Sequence, residues 1–366
     1  MKEVEALFIE LIQVALGNRN ILSRCPSDDE WKALLTIAKK QAVVGITFDV
    51  LDGLSQQKQK VPSNVLFEWI GLTAHIKRQN HVVNQRCGDI TKFFAKAGFA
   101  TCILKGQGNA RMYPNSLSRT SGDIDIWVDG SRNSIKSFVI AKCPSAQDGN
   151  MHIEFPIFRD VAVEVHYKPS YDVRPKYEKR LQLWFSGHLD EQIANNVNLD
   201  GEQVCFPTIG FNVIHQMSHI MNHFFVEGIG MRHFVDYYYV LKKFRDERIE
   251  SRDNGESVGD DLIFLGLQKF AKGVMWIEKN VLGIDEQCLI VDPDERIGKL
   301  ILKEMMEGGN FGHHDERYKG RNKGLLTRGI TDTYRLMKML SYFPDLVLWK
   351  IWNKVENQRW KVRKFC

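Results

Sequence analysis

The chain has 366 residues, of which 43% are hydrophobic and 26% are charged, a balance typical of globular proteins that excludes dominant disorder. This length allows one large core or two to three domains. The net charge is +5, but residues 317–366 carry 13 Lys or Arg against 3 Asp or Glu, so positive charge is concentrated at the carboxyl end.

The seven cysteines are scattered without a CxxC pair, which argues against a zinc site or a disulfide framework. The first residues lack the basic start of a signal peptide. No apolar run reaches the length of about 18 residues that a membrane span requires. We therefore predict a cytoplasmic protein with reduced thiols and no integral membrane segment.

Helical periodicity dominates residues 1–95. Ser27 and Glu30 form a capping-box pattern at the start of one helix. A second helix is predicted over 45–54 and a long one over 63–97.

The pattern changes after Gly98 to short apolar runs bounded by turn residues, which are typical of strands. We predict strands at 99–104, 123–128, 151–158 and 161–167, with a helix at 131–142. The last two strands are expected to form a hairpin that turns at Arg159 and Asp160.

Helical periodicity returns from about residue 206, with a polar loop predicted over 250–260. The predicted fold class is α+β, with a small mixed β-sheet core flanked by N- and C-terminal helical regions. The expected limits are 1–95 for the N-terminal helical region, 96–200 for the core, 201–316 for the C-terminal helical region and 317–366 for a basic, aromatic helical tail.

Two strands carry acidic residues opposite an apolar face. Alternation places Asp123 and Asp125 on one side of their strand, with Cα atoms about 6–7 Å apart. Glu164 has the same position on the strand at 161–167, together with His166. If the strands are neighbours, three carboxylates converge on a site for hard divalent cations. A solvent-exposed strand with two aspartates is the alternative.

The loop before Asp123 contains residues suited to phosphate. Lys105 and Arg119 supply positive charge, and Gly106 and Gly108 allow close approach of the backbone. Backbone N–H groups at the start of the following short helix are also expected to face an anion.

Several motifs occur in a characteristic order: Leu104-Lys105-Gly106, Tyr113-Pro114, Arg119, Asp123-Ile124-Asp125-Ile126-Trp127-Val128 and Val163-Glu164-Val165-His166. This order resembles an uncharacterised bacterial nucleotidyltransferase family of the DNA-polymerase-β-like superfamily. The resemblance implies a nucleotidyltransferase core and Mg²⁺- or Mn²⁺-dependent transfer of a nucleoside monophosphate from an NTP donor. The acceptor stays open between protein, small molecule and RNA.

The resemblance also implies roles for single residues. Asp123, Asp125 and Glu164 would bind metal and act in catalysis, and Lys105, Gly106, Gln107 and Arg119 would bind the nucleotide. The superfamily usually has Gly-Ser at this turn, where Lys105 or Gln107 would substitute for the serine. His166, Arg232 and Asp236 are possible accessory residues. Arg232 and Asp236 are one helical turn apart, so a simple ion pair is the alternative interpretation of these two. A catalytically silent nucleotide-binding or regulatory module on the same fold is the alternative function.

Two further features have open interpretations. His215, His219 and His223 recur at helical spacing, which fits a structural or acceptor-site role better than a metal site, since no HExxH motif is present. The tail at 317–366 is either a solvated helix packed on the core or a surface for an anionic partner.

Overall fold

Five helices precede the sheet in the computed structural model of the protein, which describes residues 3–226, 228–251, 256–309 and 336–353. They are α1 (Glu3–Ala15), α2 (Asp28–Lys40), α3 (Val44–Phe48), α4 (Leu51–Gln56) and α5 (Ser63–Ala95). Helix α2 begins at the predicted capping box, in which Ser27 and Glu30 each accept a hydrogen bond from the other's backbone N–H. The helix predicted over 45–54 is two short helices instead, because the chain turns between α3 and α4.

The central sheet has five strands, and its order is β1-β2-β5-β4-β3. Strands β2 and β5 are parallel, whereas the other neighbours are antiparallel, so the predicted mixed sheet is confirmed. The predicted hairpin corresponds to β4 and β5. The strands are β1 (Thr101–Leu104), β2 (Ile124–Val128), β3 (Gln147–Asp148), β4 (His152–Glu154) and β5 (Val163–His166).

Short connections link these strands. Between β1 and β2 lie helix α6 (Gly106–Ala110) and a 3₁₀ turn (Ser116–Ser118). Helix α7 (Arg132–Lys142) follows β2, and the Ser131 side chain caps its first turn. Strand β2 begins one residue later than predicted, so Asp123 stands just before it.

The two faces of the sheet differ as the alternation predicts. Ile124, Ile126 and Val165 are buried in a hydrophobic core that includes residues of α5 and α7. On the opposite face, Trp127 packs against Phe211 with ring centroids 6.0 Å apart. Asp125, Glu164 and His166 lie on this second face as well, because side chains alternate along a strand.

The remaining described chain is largely helical, apart from a small hairpin of β6 (Asn196–Leu199) and β7 (Glu202–Cys205). The polar loop predicted at 250–260 is wrong where the structure describes it, because residues 250–251 and 256–260 are helical and Val258 is buried. Residues 252–255 of the predicted loop lie outside the described residues. The helices are α8 (Pro175–Gly187), α9 (Leu189–Ala194), α10 (Ile209–Val226), α11 (Met231–Ser251), α12 (Glu256–Phe264), α13 (Gln268–Ile277) and α14 (Glu295–Gly308).

A second hydrophobic core joins the N-terminal helices to the C-terminal ones, from Leu7 in α1 to Met305 in α14 and on to Val347. The α+β fold class is therefore confirmed, while the predicted domain limits stay predictions. Most of the predicted tail lies outside the described residues, although 336–339 and 344–353 are helical.

Two predictions made from the composition can be compared with the structure. All six cysteines in the described part of the chain are free thiols. None of the helices described is both long and apolar enough to cross a membrane. The predicted cytoplasmic location stays a prediction.

Candidate metal centre

Three carboxylates meet at the junction of β2 and β5. The parallel register places Asp125 directly opposite Glu164, and Asp123 precedes β2 by one residue on the same face. One oxygen atom from each carboxylate lies within 4.8 Å of the others. The structure therefore brings together the three residues that the sequence proposed as metal ligands.

The two aspartates differ in their surroundings. Asp125 is buried, and its carboxylate lies 3.0 Å from Lys105 Nζ and 2.8 Å from His166 Nε2. Burial by itself raises the pKa of Asp125, but the nearby positive charges of Lys105 and His166 outweigh it and bring that pKa well below its usual range. Asp125 is therefore an ionised group held in place by two neighbours.

Within the described residues, Asp123 has no ion pair like those of Asp125 with Lys105 and His166. The negative charge of Asp125, with a further contribution from desolvation, raises the pKa of Asp123 to about 6. A divalent cation would relieve this repulsion, and an oxygen-only donor set suits Mg²⁺ or Mn²⁺. The three carboxylates therefore fit the metal that the fold implies.

Lys105 reaches the centre from the turn after β1. Its backbone has a φ of 51°, a left-handed conformation that costs a non-glycine residue on the order of 1 kcal/mol. The ammonium group also lies 3.3 Å from His219 Nδ1 on α10. Strain at this turn thus positions a cation beside Asp125, and Gly106, with a φ of 39°, continues the turn.

Gln107 and Gly108, on the turn predicted to bind phosphate, both contact other parts of the chain. The Gln107 side chain is buried and donates a hydrogen bond to Asn84 on α5. At Gly108 a Cβ would lie 2.8 Å from the Phe206 ring. This glycine therefore allows close packing against Phe206, and the predicted approach of a ligand to Gly108 stays a prediction.

Arg119 and Asp236 form a buried pair apart from the carboxylates. Asp236 accepts hydrogen bonds from Arg119 Nε at 2.7 Å, from Arg119 Nη2 at 2.8 Å and from Tyr113 Oη at 2.6 Å. The sequence suggested instead that Asp236 pairs with Arg232, one turn away on α11. The loop before β2 brings Arg119 to Asp236 as its bidentate hydrogen-bonding partner, and the charge of Arg232 also acts on Asp236.

Arg232 is the arginine that borders the centre. Its Nη1 donates a hydrogen bond to the Thr120 carbonyl at 3.0 Å. The same atom lies close to Gly122, since a Cβ built on that glycine would be 3.8 Å from it. Its positive charge lowers the pKa of Asp123 and so offsets part of the rise described above. Of the two arginines, Arg232 therefore contributes to the electrostatics of Asp123.

His152 is the neighbouring residue that the sequence reasoning missed. It lies opposite His166 in the antiparallel pair of β4 and β5, and its Nδ1 is 3.2 Å from Glu164 Oε2. The predicted hairpin contained the signal, since its register decides which residue faces His166.

The α10 histidines line up as their spacing predicts. The ring centroids of His219 and His223 are 4.2 Å apart, and His233 on α11 lies within 5.8 Å of both. Burial, with the charge of Lys105, lowers the pKa of His215 to about 3. In the described part of the chain these histidines do not form a group with three ligand atoms close together.

The chain is similar to known proteins in one structural comparison and in one family model. The chain is similar to an antigenic nucleotidyltransferase-like protein from Paracoccidioides brasiliensis, with 13% identity and a TM-score of 0.30 over 43% of this chain and 75% of that one. No curated protein matches the chain significantly. A family model described as an uncharacterised nucleotidyltransferase matches residues 27–283, well over half of the sequence. The chain therefore belongs to this uncharacterised nucleotidyltransferase family.

Proposed function

We propose that the protein transfers a nucleoside monophosphate from an NTP to an acceptor hydroxyl, releases pyrophosphate and depends on Mg²⁺ or Mn²⁺. The observation that carries this proposal is the convergence of Asp123, Asp125 and Glu164 from adjacent strands. Membership of a nucleotidyltransferase family supports the class of reaction. The acceptor is a protein, a small molecule or an RNA.

The three carboxylates would hold the divalent cations, since hard cations prefer oxygen ligands. Such cations lower the pKa of an attacking hydroxyl and neutralise charge on the leaving pyrophosphate. Asp125 is fixed by its neighbours, whereas the Glu164 side chain is 27% exposed. We assign to Glu164 the role of accepting the proton of the acceptor hydroxyl, since it is more accessible than Asp125, which lies opposite it on β2.

Positive groups beside the carboxylates would orient the donor. Lys105 already lies next to Asp125, so its ammonium group would donate to a phosphate oxygen that enters there. Arg232 adds positive potential near Asp123. Arg119 is occupied by Asp236, so we assign the second phosphate-facing cation to Arg232 and a positioning role to Arg119.

The second candidate function is a catalytically silent module that binds a nucleotide and regulates another process. It is favoured by one observation, which is that Asp125 is already paired with both Lys105 and His166. A carboxylate that already pairs with two cationic neighbours has a lower affinity for a metal ion.

The test is to incubate the purified protein with each NTP labelled at the α-phosphate, Mg²⁺ or Mn²⁺, and cell extract. We expect label to appear in an acceptor and Asp123→Asn to reduce transfer by about 100-fold or more. Asp123 is exposed and repelled by Asp125, so this change should leave the fold intact. Asp129→Asn is the matched control, because Asp129 is an exposed residue just beyond the other end of β2.

The possible outcomes separate the two candidates. Transfer by the wild type and the control, but not by Asp123→Asn, supports the enzyme. Nucleotide binding in a calorimeter without any transfer supports the regulatory module. Equal transfer by wild type and Asp123→Asn removes the proposal.

A further inference from the structure

A second group of ligand atoms lies beside the carboxylates on the polar face of the sheet. It consists of His152, Glu164 and His166, which each offer one ligand atom within 4.8 Å of the others. Glu164 Oε2 lies 3.2 Å from His152 Nδ1 and 3.4 Å from His166 Nε2. Ligands bound at 2.0–2.2 Å in tetrahedral or octahedral geometry stand about 3–3.5 Å apart, so these two separations match a bound ion.

The group is fixed by the backbone. His152 and His166 are direct partners in the antiparallel pair of β4 and β5, and their ring centroids are 5.2 Å apart. Glu164 is two residues from His166 on the same strand and therefore on the same face. The arrangement thus follows from strand register and does not require a loop to fold over the site.

The contacts of the two imidazoles are compatible with ligation. His166 Nε2, the nitrogen near Glu164, also lies 2.8 Å from Asp125 Oδ1, so a metal ion would replace the proton between His166 and Asp125 and release it on binding. His166 Nδ1 lies 3.3 Å from the Lys168 carbonyl and must be the donor there, because a carbonyl only accepts. Such a bond to a backbone carbonyl orients the ring of a metal-bound histidine. His152 Nδ1 is buried and makes no hydrogen bond within the described residues. An imidazole nitrogen that lies 3.2 Å from Glu164 Oε2 and makes no hydrogen bond is suited to a metal ion.

The donor set differs in chemistry from the three carboxylates. Two imidazole nitrogens and one carboxylate oxygen favour first-row transition metals, whereas Mg²⁺ takes oxygen ligands. The His152 and Glu164 side chains are 25% and 27% exposed, so an ion there keeps positions for water. A structural zinc site would be closed by four protein ligands.

We propose that His152, His166 and Glu164 form a separate site for a divalent transition metal such as Zn²⁺ or Co²⁺. The site shares Glu164 with the carboxylate centre, so occupation of one is coupled to occupation of the other. This proposal goes beyond nucleotidyl transfer and does not depend on it, because the metal binds without a nucleotide.

The test titrates the full-length protein with Co²⁺ in the absence of Mg²⁺ and nucleotide, and follows visible absorption, with Zn²⁺ calorimetry in parallel. We expect one ion per chain with a spectrum of imidazole ligation. His152→Ala should weaken binding at least about 10-fold, since even an outer hydrogen-bond partner of a metal ligand contributes 10–100-fold. His75→Ala, an exposed histidine on α5, is the matched control.

Two further variants keep the result interpretable. His152→Gln retains the length and polarity of the side chain, so a loss of Co²⁺ binding in both His152 variants, with unchanged circular dichroism, points to ligation. Asp123→Asn should keep the Co²⁺ spectrum, because Asp123 is outside the group. Equal Co²⁺ affinity in wild type and His152→Ala, or an equal loss in His75→Ala, would overturn the proposal whether or not the protein transfers nucleotides.

Discussion

Replacing Asp236 by asparagine leaves the Arg119 guanidinium buried without its counterion, and we expect a large loss of stability. The two residues are 4% and 5% exposed, so water cannot take the place of the lost charge. Asp236 also accepts the hydrogen bond of Tyr113 Oη. The pair connects the loop before β2 to α11, and its loss therefore affects the packing of the helical region on the core.

The magnitude follows from the burial of both partners. Removing one member of a buried ion pair typically costs about 3–5 kcal/mol. Asparagine keeps one oxygen that can accept from Arg119 or Tyr113, which places the expected loss near the lower end, about 3 kcal/mol. Proteins have total stabilities of about 5–15 kcal/mol, so Asp236→Asn should fold but unfold at a lower urea concentration.

Urea unfolding at pH 7, followed by circular dichroism, measures this loss. Lys299→Gln is the control, because the Lys299–Glu295 pair is 64% and 63% exposed and should contribute less than about 1 kcal/mol. The double variant Arg119→Met/Asp236→Leu should lose less than the sum of the two single changes. A loss below about 1 kcal/mol in Asp236→Asn, or strict additivity, would refute the reasoning.

The pH dependence provides an independent measurement of the same pair. Burial raises the pKa of Asp236, but the charge and hydrogen bonds of Arg119 outweigh it, so the pKa lies below its ordinary value of 3.8. The stability from ionised Asp236 is therefore present above pH 3.8 and is lost as the pH falls through the lower folded-state pKa. The gap between wild type and Asp236→Asn should close in acid.

Two further predictions concern packing and burial. Gly108→Ala brings a Cβ against Phe206 and should cost about 1–3 kcal/mol in urea unfolding, whereas Gly187→Ala meets no atom within 4 Å and should change stability by less than about 1 kcal/mol; equal costs would contradict the packing argument. Glu278 is fully buried, neither carboxylate oxygen has a hydrogen bond among the described residues, and burial raises its pKa well above 4.5. Because the folded-state pKa of Glu278 is raised, the stability of the wild type is highest below pH 4.5 and decreases as the pH rises. The stability of Glu278→Gln relative to the wild type should therefore increase by up to about 1.4 kcal/mol per pH unit above 4.5. Parallel pH profiles of unfolding free energy for the two proteins would contradict this.

The carboxylate centre was predictable from the sequence because strand periodicity is local. Apolar residues at alternate positions of β2 and β5 decide which face is buried, and the acidic residues then occupy the other face. That the two strands are neighbours is a property of the tertiary fold. The resemblance of the motif order to a nucleotidyltransferase family supplied this information.

The pairing of Arg119 with Asp236 could not be predicted from local periodicity. The residues are 117 positions apart, and their contact depends on the rotation of α11 against the core. Local spacing favoured Arg232 as the partner, since residues one helical turn apart are neighbours. The buried Asp236 carboxylate is stabilised most by a partner with good hydrogen-bond geometry, and Arg119 provides two parallel hydrogen bonds.

The charges around the three carboxylates explain how they are accommodated in the fold while negative charge remains near the surface. Lys105 and His166 neutralise Asp125, the most buried of the three carboxylates, so folding does not leave an isolated charge in the interior. Asp123 and Glu164 are more exposed and keep the negative potential that attracts a cation. Lys105 combines a strained backbone, with a φ of 51°, and an ammonium group 3.0 Å from the Asp125 carboxylate. In the proposed metal centre, the buried aspartate would therefore fix the geometry, and the two more accessible carboxylates would bind the cation.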